Sequence, residues 1–343
     1  MNRTATFLAT LALSAAAGQA WAQSDSVTIF GVLDLAARAV DNDDTMYRLE
    51  SGGLSASRLG FRGVEDLGGG LKAGFWLEGE LLPDTGTQPL ASVNGGSNNA
   101  AGIFQRRSTV SLMGGFGEFR LGRDKVPTNL TWDEFDPFRD TGVGRSSRLS
   151  AARGIGSYAF SRANNAVGYF TPAMGGFFGQ AMVAAGENTS GNKYAGLRGG
   201  YRAGPLVAAF TYASADSTSG DDAAIWSLGG TYDFKSFKLW GFYNAVDDVN
   251  AGQSNWLLGA TLPVGGFELR ASYQAMSGDE GISDQEADMF AIGAVYNLSK
   301  RTALYATYSA ISNTNTSFTV ATGGPLTKGN DSSGYEFGIR HSF

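Results

Sequence analysis

The last ten residues, GYEFGIRHSF (Gly334–Phe343), decide how the rest of the chain is read. Tyr335, Phe337, Ile339, His341 and Phe343 take every second position, and Glu336, Gly338, Arg340 and Ser342 fall between them. Side chains of a β-strand alternate between two faces, so this segment has one bulky, mostly apolar face and one that carries charge. The same period of two recurs upstream. In VTIFGVLDLAARAV (27–40), Val27, Ile29, Leu33 and Leu35 oppose Thr28, Asp34 and Arg38. In the stretch 58–80, Leu59 and Phe61 oppose Arg58 and Arg62. After the VEDLGGG turn, Leu71, Ala73, Phe75 and Leu77 oppose Lys72, Glu78 and Glu80.

Sixteen such segments can be marked, starting near Val27, Ser55, Leu71, Gly102, Gly117, Asn164, Phe177, Tyr194, Leu206, Ala224, Lys238, Trp256, Phe267, Met289, Thr302 and Gly334. Tight connections such as EDLGGG, GGFG, PVGG and LSKR alternate with long polar ones such as DNDDTMYRLESGG and SGDEGISDQEAD. Short turns on one side and long loops on the other are the plan of an outer-membrane barrel. In hydrocarbon every backbone donor and acceptor needs a partner, so a sheet there must close on itself. Its outer face must be apolar, and a barrel of this size leaves a watery interior where charge is tolerated. The reading is therefore an all-β transmembrane antiparallel barrel of sixteen strands, with short periplasmic turns and long extracellular loops. A soluble sandwich would explain the alternation but not the loop plan.

The beginning agrees. Arg3, an apolar stretch from Phe7 to Ala17 and the Ala20-Trp21-Ala22 triplet form the three parts of a secretory leader. Residues 1–22 are expected to be removed, leaving a barrel domain over 23–343. The chain has no cysteine, 49 glycines and 8 prolines. No later segment is an apolar run of about 18 residues, so a transmembrane helix is not expected. The formal charge is −6, one unit more negative without Arg3, which argues against a nucleic-acid partner.

The segments SVTIFGVLDLAARAV, SRLGFRGVEDLGGGLKAGFWLEGEL, FQRRSTVSLMGGFGEFRLGR, NNAVGYFTPAMGGF and the closing GIRHSF resemble the general porins of beta-proteobacteria and neisseriae, over about Ser26 to Phe343. The resemblance implies a homotrimer in the outer membrane, among lipid and lipopolysaccharide. It implies a third extracellular loop folded into each pore. It also implies that the barrel assembly machinery reads the terminal Phe343.

The stretch of about 124–157 matches that loop in position, and FDPF matches its tip. It is too long for an ordinary connection. Asp133, Glu134 and Asp136 stand there among Trp132, Phe135 and Phe138, while Arg38, Arg58, Arg62, Arg107, Arg120, Arg198 and Arg340 take lumen-side positions. Acid on the loop facing arginine on the wall would set a transverse field that sorts ions; local pairing of the same charges is the alternative. Gly168 stands where related porins often carry a lumen arginine, with Arg148, Arg153 and Arg162 as compensators. The aromatic trio could stack on a solute or anchor the loop.

No catalytic constellation emerges. The single histidine, His341, falls on the outward face, and no GxxxxGK[ST] phosphate loop occurs. Calcium or magnesium on the loop acids DNDD (41–44), Asp221-Asp222 or Asp247-Asp248 is possible, though none has calcium-loop spacing. The function expected is passive diffusion of small hydrophilic solutes and ions. The alternatives are a channel preferring organic anions or sugars, and a barrel acting mainly as adhesin or receptor.

Overall fold

The computed structural model describes residues 27–89, 91–92, 99–100, 102–149, 161–187, 193–216, 222–247, 252–279 and 281–343. The expected leader, 1–22, lies outside them. The chain forms a closed antiparallel barrel of sixteen strands. They are β1 (Thr28–Asp41), β2 in two segments (Thr45–Ser51 and Arg58–Gly68), β3 (Leu71–Glu80), β4 (Arg107–Gly114), β5 (Gly117–Lys125), β6 (Arg162–Phe170), β7 (Phe177–Ala184) and β8 (Tyr194–Ala203). The second half holds β9 (Leu206–Asp216), β10 (Asp222–Asp233), β11 (Lys238–Asp247), β12 (Gln253–Val264), β13 (Phe267–Gly278), β14 (Glu286–Asn297), β15 (Thr302–Thr314) and β16 (Ser332–Ser342).

Closure runs in continuous register from Val32 opposite Ser342 to Asp41 opposite Ser333. Phe343 adds one more step: its N–H donates to Gly31 O at 3.0 Å and its carbonyl accepts from Gly31 N at 3.1 Å. The Phe343 ring lies on Gly31, where a Cβ would stand 2.3 Å from Cζ. The last residue thus seals the seam between the chain's two ends.

The alternation read from sequence holds around the wall. Leu33, Leu121, Leu197, Leu258 and Phe337 are exposed on the outside, while Asp34, Arg38, Gln180 and Glu336 are buried within. His341 is exposed on the outer face and shares a 2.9 Å hydrogen bond with Thr302 Oγ1.

One segment departs from expectation. The stretch 45–51, read as part of a polar loop, is a strand paired to the upper half of β1, with Arg48 opposite Arg38 and Tyr47 opposite Ala39. The break that follows is held by the buried Asp34 carboxylate, which accepts from the backbone N–H groups of Gly53 (3.2 Å), Leu54 (3.0 Å) and Ser55 (2.7 Å) and from the Tyr305 hydroxyl. A buried carboxylate is tolerable only with such donors around it.

Two outcomes follow. Leu258→Arg, at the middle of the outer face of β12, should destabilise the folded barrel by roughly 2–4 kcal/mol. Gly168→Arg should fold like the parent, because a Cβ there meets nothing nearer than 3.5 Å. Urea titration followed by the mobility shift of folded barrels reads both, and equal loss would contradict the assigned faces. Deleting Phe343 should lower the yield of folded barrel in the outer membrane while export continues; undiminished assembly would show that the Gly31–Phe343 seam is dispensable.

Candidate pore constriction

After β5 the chain turns inward. Helix α1 (Pro127–Phe135) begins with proline at its first turn, where the missing N–H is no loss. It ends at Asp136 (φ −99°, ψ 122°) because the next residue, Pro137, disfavours helical backbone before it. The helix lies inside the barrel against β7–β11.

The aromatic trio anchors it. Trp132, Phe135 and Phe138 are all buried. Trp132 packs edge-on to Phe242 at 4.9 Å and donates to Ser146 Oγ at 2.6 Å. Phe135 fills the space above Gly229, where a Cβ would lie 2.1 Å from its ring. Their faces are covered by the wall, so stacking on a passing solute is not their role in this arrangement.

The far end of the loop crosses to the seam. Val143 N–H donates to Glu336 Oε1 (3.2 Å), and Val143 O accepts from Ser309 Oγ (2.7 Å). Only glycine fits at Gly142: its φ is +69°, and a Cβ would stand 2.1 Å from Glu336 Oε1. The loop is described as far as Leu149; the rest of the expected span to 157, with Arg153, lies outside the described residues.

The three loop acids do not form one anionic rim. Asp133 pairs with Lys125, and Glu134 pairs with both Arg198 and Arg202. Asp136 is buried and accepts from the N–H groups of Phe138 (2.8 Å), Asp140 (3.1 Å) and Ser146 (2.9 Å) and from Ser146 Oγ–H (2.8 Å). Burial still pushes its carboxyl above the ordinary range. Its expected position on the pore surface is therefore corrected: Asp136 organises the turn after α1. Arg198 is corrected too, since it lies on the loop's own side, hydrogen-bonded to Thr131 Oγ1 at 2.9 Å, and does not face the loop across the pore. Arg38 is also withdrawn from the open wall, buried on Glu336 through Nε (2.9 Å) and Nη2 (2.7 Å).

The arginines of β2–β5 remain opposite. Arg58 stands 3.8 Å from Glu78, Arg107 stands 3.8 Å from Asp124, and Arg120 binds Glu118 (2.9 Å) and Asp124 (2.5 Å). Arg62 has no carboxylate partner among the described residues. Its guanidinium lies over Phe30 (5.4 Å) and Trp76 (5.0 Å), Arg107 lies over Trp76 (4.6 Å), and Arg120 over Phe170 (4.1 Å). A ring against the flat face of a guanidinium steadies it while leaving its N–H edges free for an oxyanion. A recess of about 430 Å³ opens here, lined by Arg62, Trp76, Arg107, Ser111, Glu118 and Arg120. Arg340 faces the lumen in register with Asp34.

Several of these residues were legible only in part. Trp76 shares a strand face with Lys72, Glu78 and Glu80, so parity alone would have placed it in the lumen. Lys125 and Arg106 carried no such signal. Arg106 holds Glu78 (2.6 Å) and Glu80 (2.9 Å). At Gly168, paired with Arg120 and Met182, no described arginine fills the missing rung. Arg162 is turned to Arg106 O at 2.7 Å, and Arg148 belongs to the loop.

As for metals, Asp43 of the DNDD run is engaged by Thr327 N and Oγ1 (each 2.6 Å) and Asn330 Nδ2 (2.8 Å). Asp221 and Asp248 lie outside the described residues. Among the described residues no group of three or more acidic, histidine or cysteine side chains is placed to hold an ion.

This geometry can be set beside known proteins. The sequence profile of the Gram-negative porin family matches residues 9–316. Outer membrane porin protein 32 of Delftia acidovorans is 40% identical over 98% of this chain and 99% of its own length. An outer membrane porin of Bordetella pertussis is 30% identical over 88% of this chain and 92% of its own. The solved anion-selective porin from Comamonas acidovorans superposes with a TM-score of 0.81 at 36% identity, covering 93% of this chain and all of that one. The trimer form of OmpT from Vibrio cholerae shares the fold, with a TM-score of 0.68 at 15% identity over 93% of this chain and 99% of that one. A sixteen-stranded wall with an inward loop and these relatives lead to one conclusion: the chain belongs to the Gram-negative porin family and forms a diffusion channel in the outer membrane.

Proposed function

We propose that this channel passes small hydrophilic solutes and favours anions. One observation carries the preference: Asp133 and Glu134 are each met by a basic side chain and Asp136 by backbone amides, whereas Arg62 stands on the opposite wall without a carboxylate. A charge about 4 Å from an ion contributes roughly 1 kcal/mol even at the dielectric constant of water, and about 4 at an effective value of 20. The lower figure already changes local ion concentration about fivefold. Local lumen charges therefore outweigh the negative total of the chain, much of it beyond the Debye length of roughly 10 Å at 0.1 M salt. The solved porin from Comamonas acidovorans, itself described as anion-selective, supports the same reading. The ring-backed guanidiniums around the recess also suit weak retention of organic anions.

The working unit we propose is a homotrimer, as in the trimer form of OmpT. Aromatic pairs mark the outer wall from Phe119–Tyr169 to Phe267–Tyr296, whereas β1–β3 present the aliphatic Ile29, Leu33, Leu35, Leu49, Leu59 and Leu77 with fewer aromatics, Tyr47, Phe61 and Phe75. Aromatic belts mark lipid headgroup levels, so the aliphatic arc suits subunit contact. Export by the leader over 1–22, recognition of Phe343 by the assembly machinery and contact with lipopolysaccharide belong to the same proposal.

In a KCl gradient across a planar bilayer, Arg62→Gln with Arg107→Gln should shift the reversal potential toward cations. Asp133→Asn with Glu134→Gln should shift it toward anions by releasing Lys125, Arg198 and Arg202. An unchanged potential in the first variant at low salt would overturn the proposed preference. Asp136→Asn should leave the sign of selectivity unaltered and raise open-channel noise, because it loosens the turn and carries no pore charge.

A further inference from the structure

Four guanidiniums, Arg38 among them, gather at the loop-side end of the seam, away from the arginines of the recess. Arg38 and Arg48 face one another across β1 and β2, a like-charge pairing that is unfavourable by itself. Glu50 lies between them, its Oε2 3.5 Å from Arg38 Nη1 and 2.8 Å from Arg48 Nε. Its angle leaves Arg48 Nε buried without a hydrogen bond. Glu336 is already taken by Arg38 and by the Val143 amide.

The inward loop brings Arg148 within electrostatic reach of Arg38 and Glu50, with Arg145 close to Arg148. Neither loop arginine has a carboxylate within 4.0 Å among the described residues, and the Nε of each is buried without a partner. Burial, followed by the fields of Arg145 and Arg38, makes the charge of Arg148 harder to hold. Asp140 is the acid that feels Arg145; burial pushes its carboxyl up to about 6, so it is still ionised at neutral pH and, with Glu50, supplies part of the counter-charge that Arg148 feels. The following stretch, 150–160, contains Arg153 and no carboxylate in its sequence.

This excess of positive charge is held in place. Residues on both sides of the two loop arginines are pinned: Val143 O by Ser309 Oγ (2.7 Å), Ser146 by Asp136 (2.9 Å) and Leu149 O by Gln253 Nε2 (3.2 Å). A buried guanidinium N–H left unpaired bears its full desolvation cost, and a planar fork fits a carboxylate or phosphate far better than a halide.

We infer that Arg48, Arg145 and Arg148 form a saturable oxyanion site in the outer vestibule, which takes up a carboxylate or phosphate group before it reaches the channel wall. The site rests on the reading that the channel passes anions. Because it is preorganised, little ordering opposes binding.

The test is single-channel chloride current in KCl, with inorganic phosphate or acetate added to the long-loop side or to the turn side. The current should fall in a saturable way with either anion, at lower concentration from the long-loop side. Tighter phosphate or tighter acetate identifies which group the site prefers. Arg145→Gln with Arg148→Gln should raise the half-saturating concentration about tenfold or more. Arg145→Lys with Arg148→Lys should fall between, keeping charge but losing the fork. Arg62→Gln should move the reversal potential and change half-saturation less than the loop double variant does. A half-saturation in the double glutamine variant equal to the parent's would overturn the site, as would lysines that match the arginines or a response that tracks ionic strength without saturating. The parent's reversal potential in KCl alone reads the underlying anion preference, so failure of that reading appears separately.

Discussion

Everything in this molecule follows from the requirement that no backbone N–H or C=O face hydrocarbon unpaired. The ladder from β1 to β16 meets it only because β16 pairs with β1 through the whole of Val32–Asp41 and Phe343 continues to Gly31. An open edge anywhere would expose a row of polar groups to lipid. Closure in turn fixes parity: every second side chain must be compatible with lipid, and the others are free to be charged.

The lumen thereby becomes a place where apolar anchors are useful. Phe135 and Trp132 bury themselves against Ala209, Phe242 and Leu257 on the inner wall, and Phe138 and Leu149 join a second buried cluster that includes Met289 and Ile311. These contacts, with Gly142 seated under Glu336, tie the loop to one side of the barrel and leave the arc of β2–β6 open. A docked loop divides the lumen unevenly, and the side left open carries Arg58, Arg62, Arg107 and Arg120.

Charge in the pore is then a matter of partners as much as of composition. A chain of formal charge −6 still presents a basic track, since many of its lumen acids sit within ion-pair distance of arginine: Glu78 and Glu80 on Arg106, Glu118 and Asp124 on Arg120, Glu134 on Arg198 and Arg202. Among the described residues, Arg62 and Arg340 on the wall and Arg145 and Arg148 in the loop have no carboxylate within 4.0 Å and add to the field that a passing ion meets. Aromatic rings behind the wall arginines steady their guanidiniums, and Arg62, held over Phe30 and Trp76, stays clear of neighbouring acids.

The sequence by itself determined the sixteen strands, their faces and the even closure, and its resemblance to porins implied the inward loop. Period-two alternation and loop-length alternation are local signals, and the membrane makes their meaning nearly unique. It placed Phe61 and Leu121 outside, Arg62 and Arg120 inside, and His341 on the outer face without help from coordinates. Tertiary structure alone decided which charges cancel. Lys125 meets Asp133 eight residues on, Arg198 meets Glu134 from 64 residues away, and Arg38 meets Glu336 from the other end of the chain. It also turned 45–51 into a strand, because an upper half of β1 without a neighbour on that side needed one. Faces are set by neighbours in sequence, but ion pairs in a closed barrel are set by which walls and loop meet across the lumen, and strand periodicity carries no record of that distance.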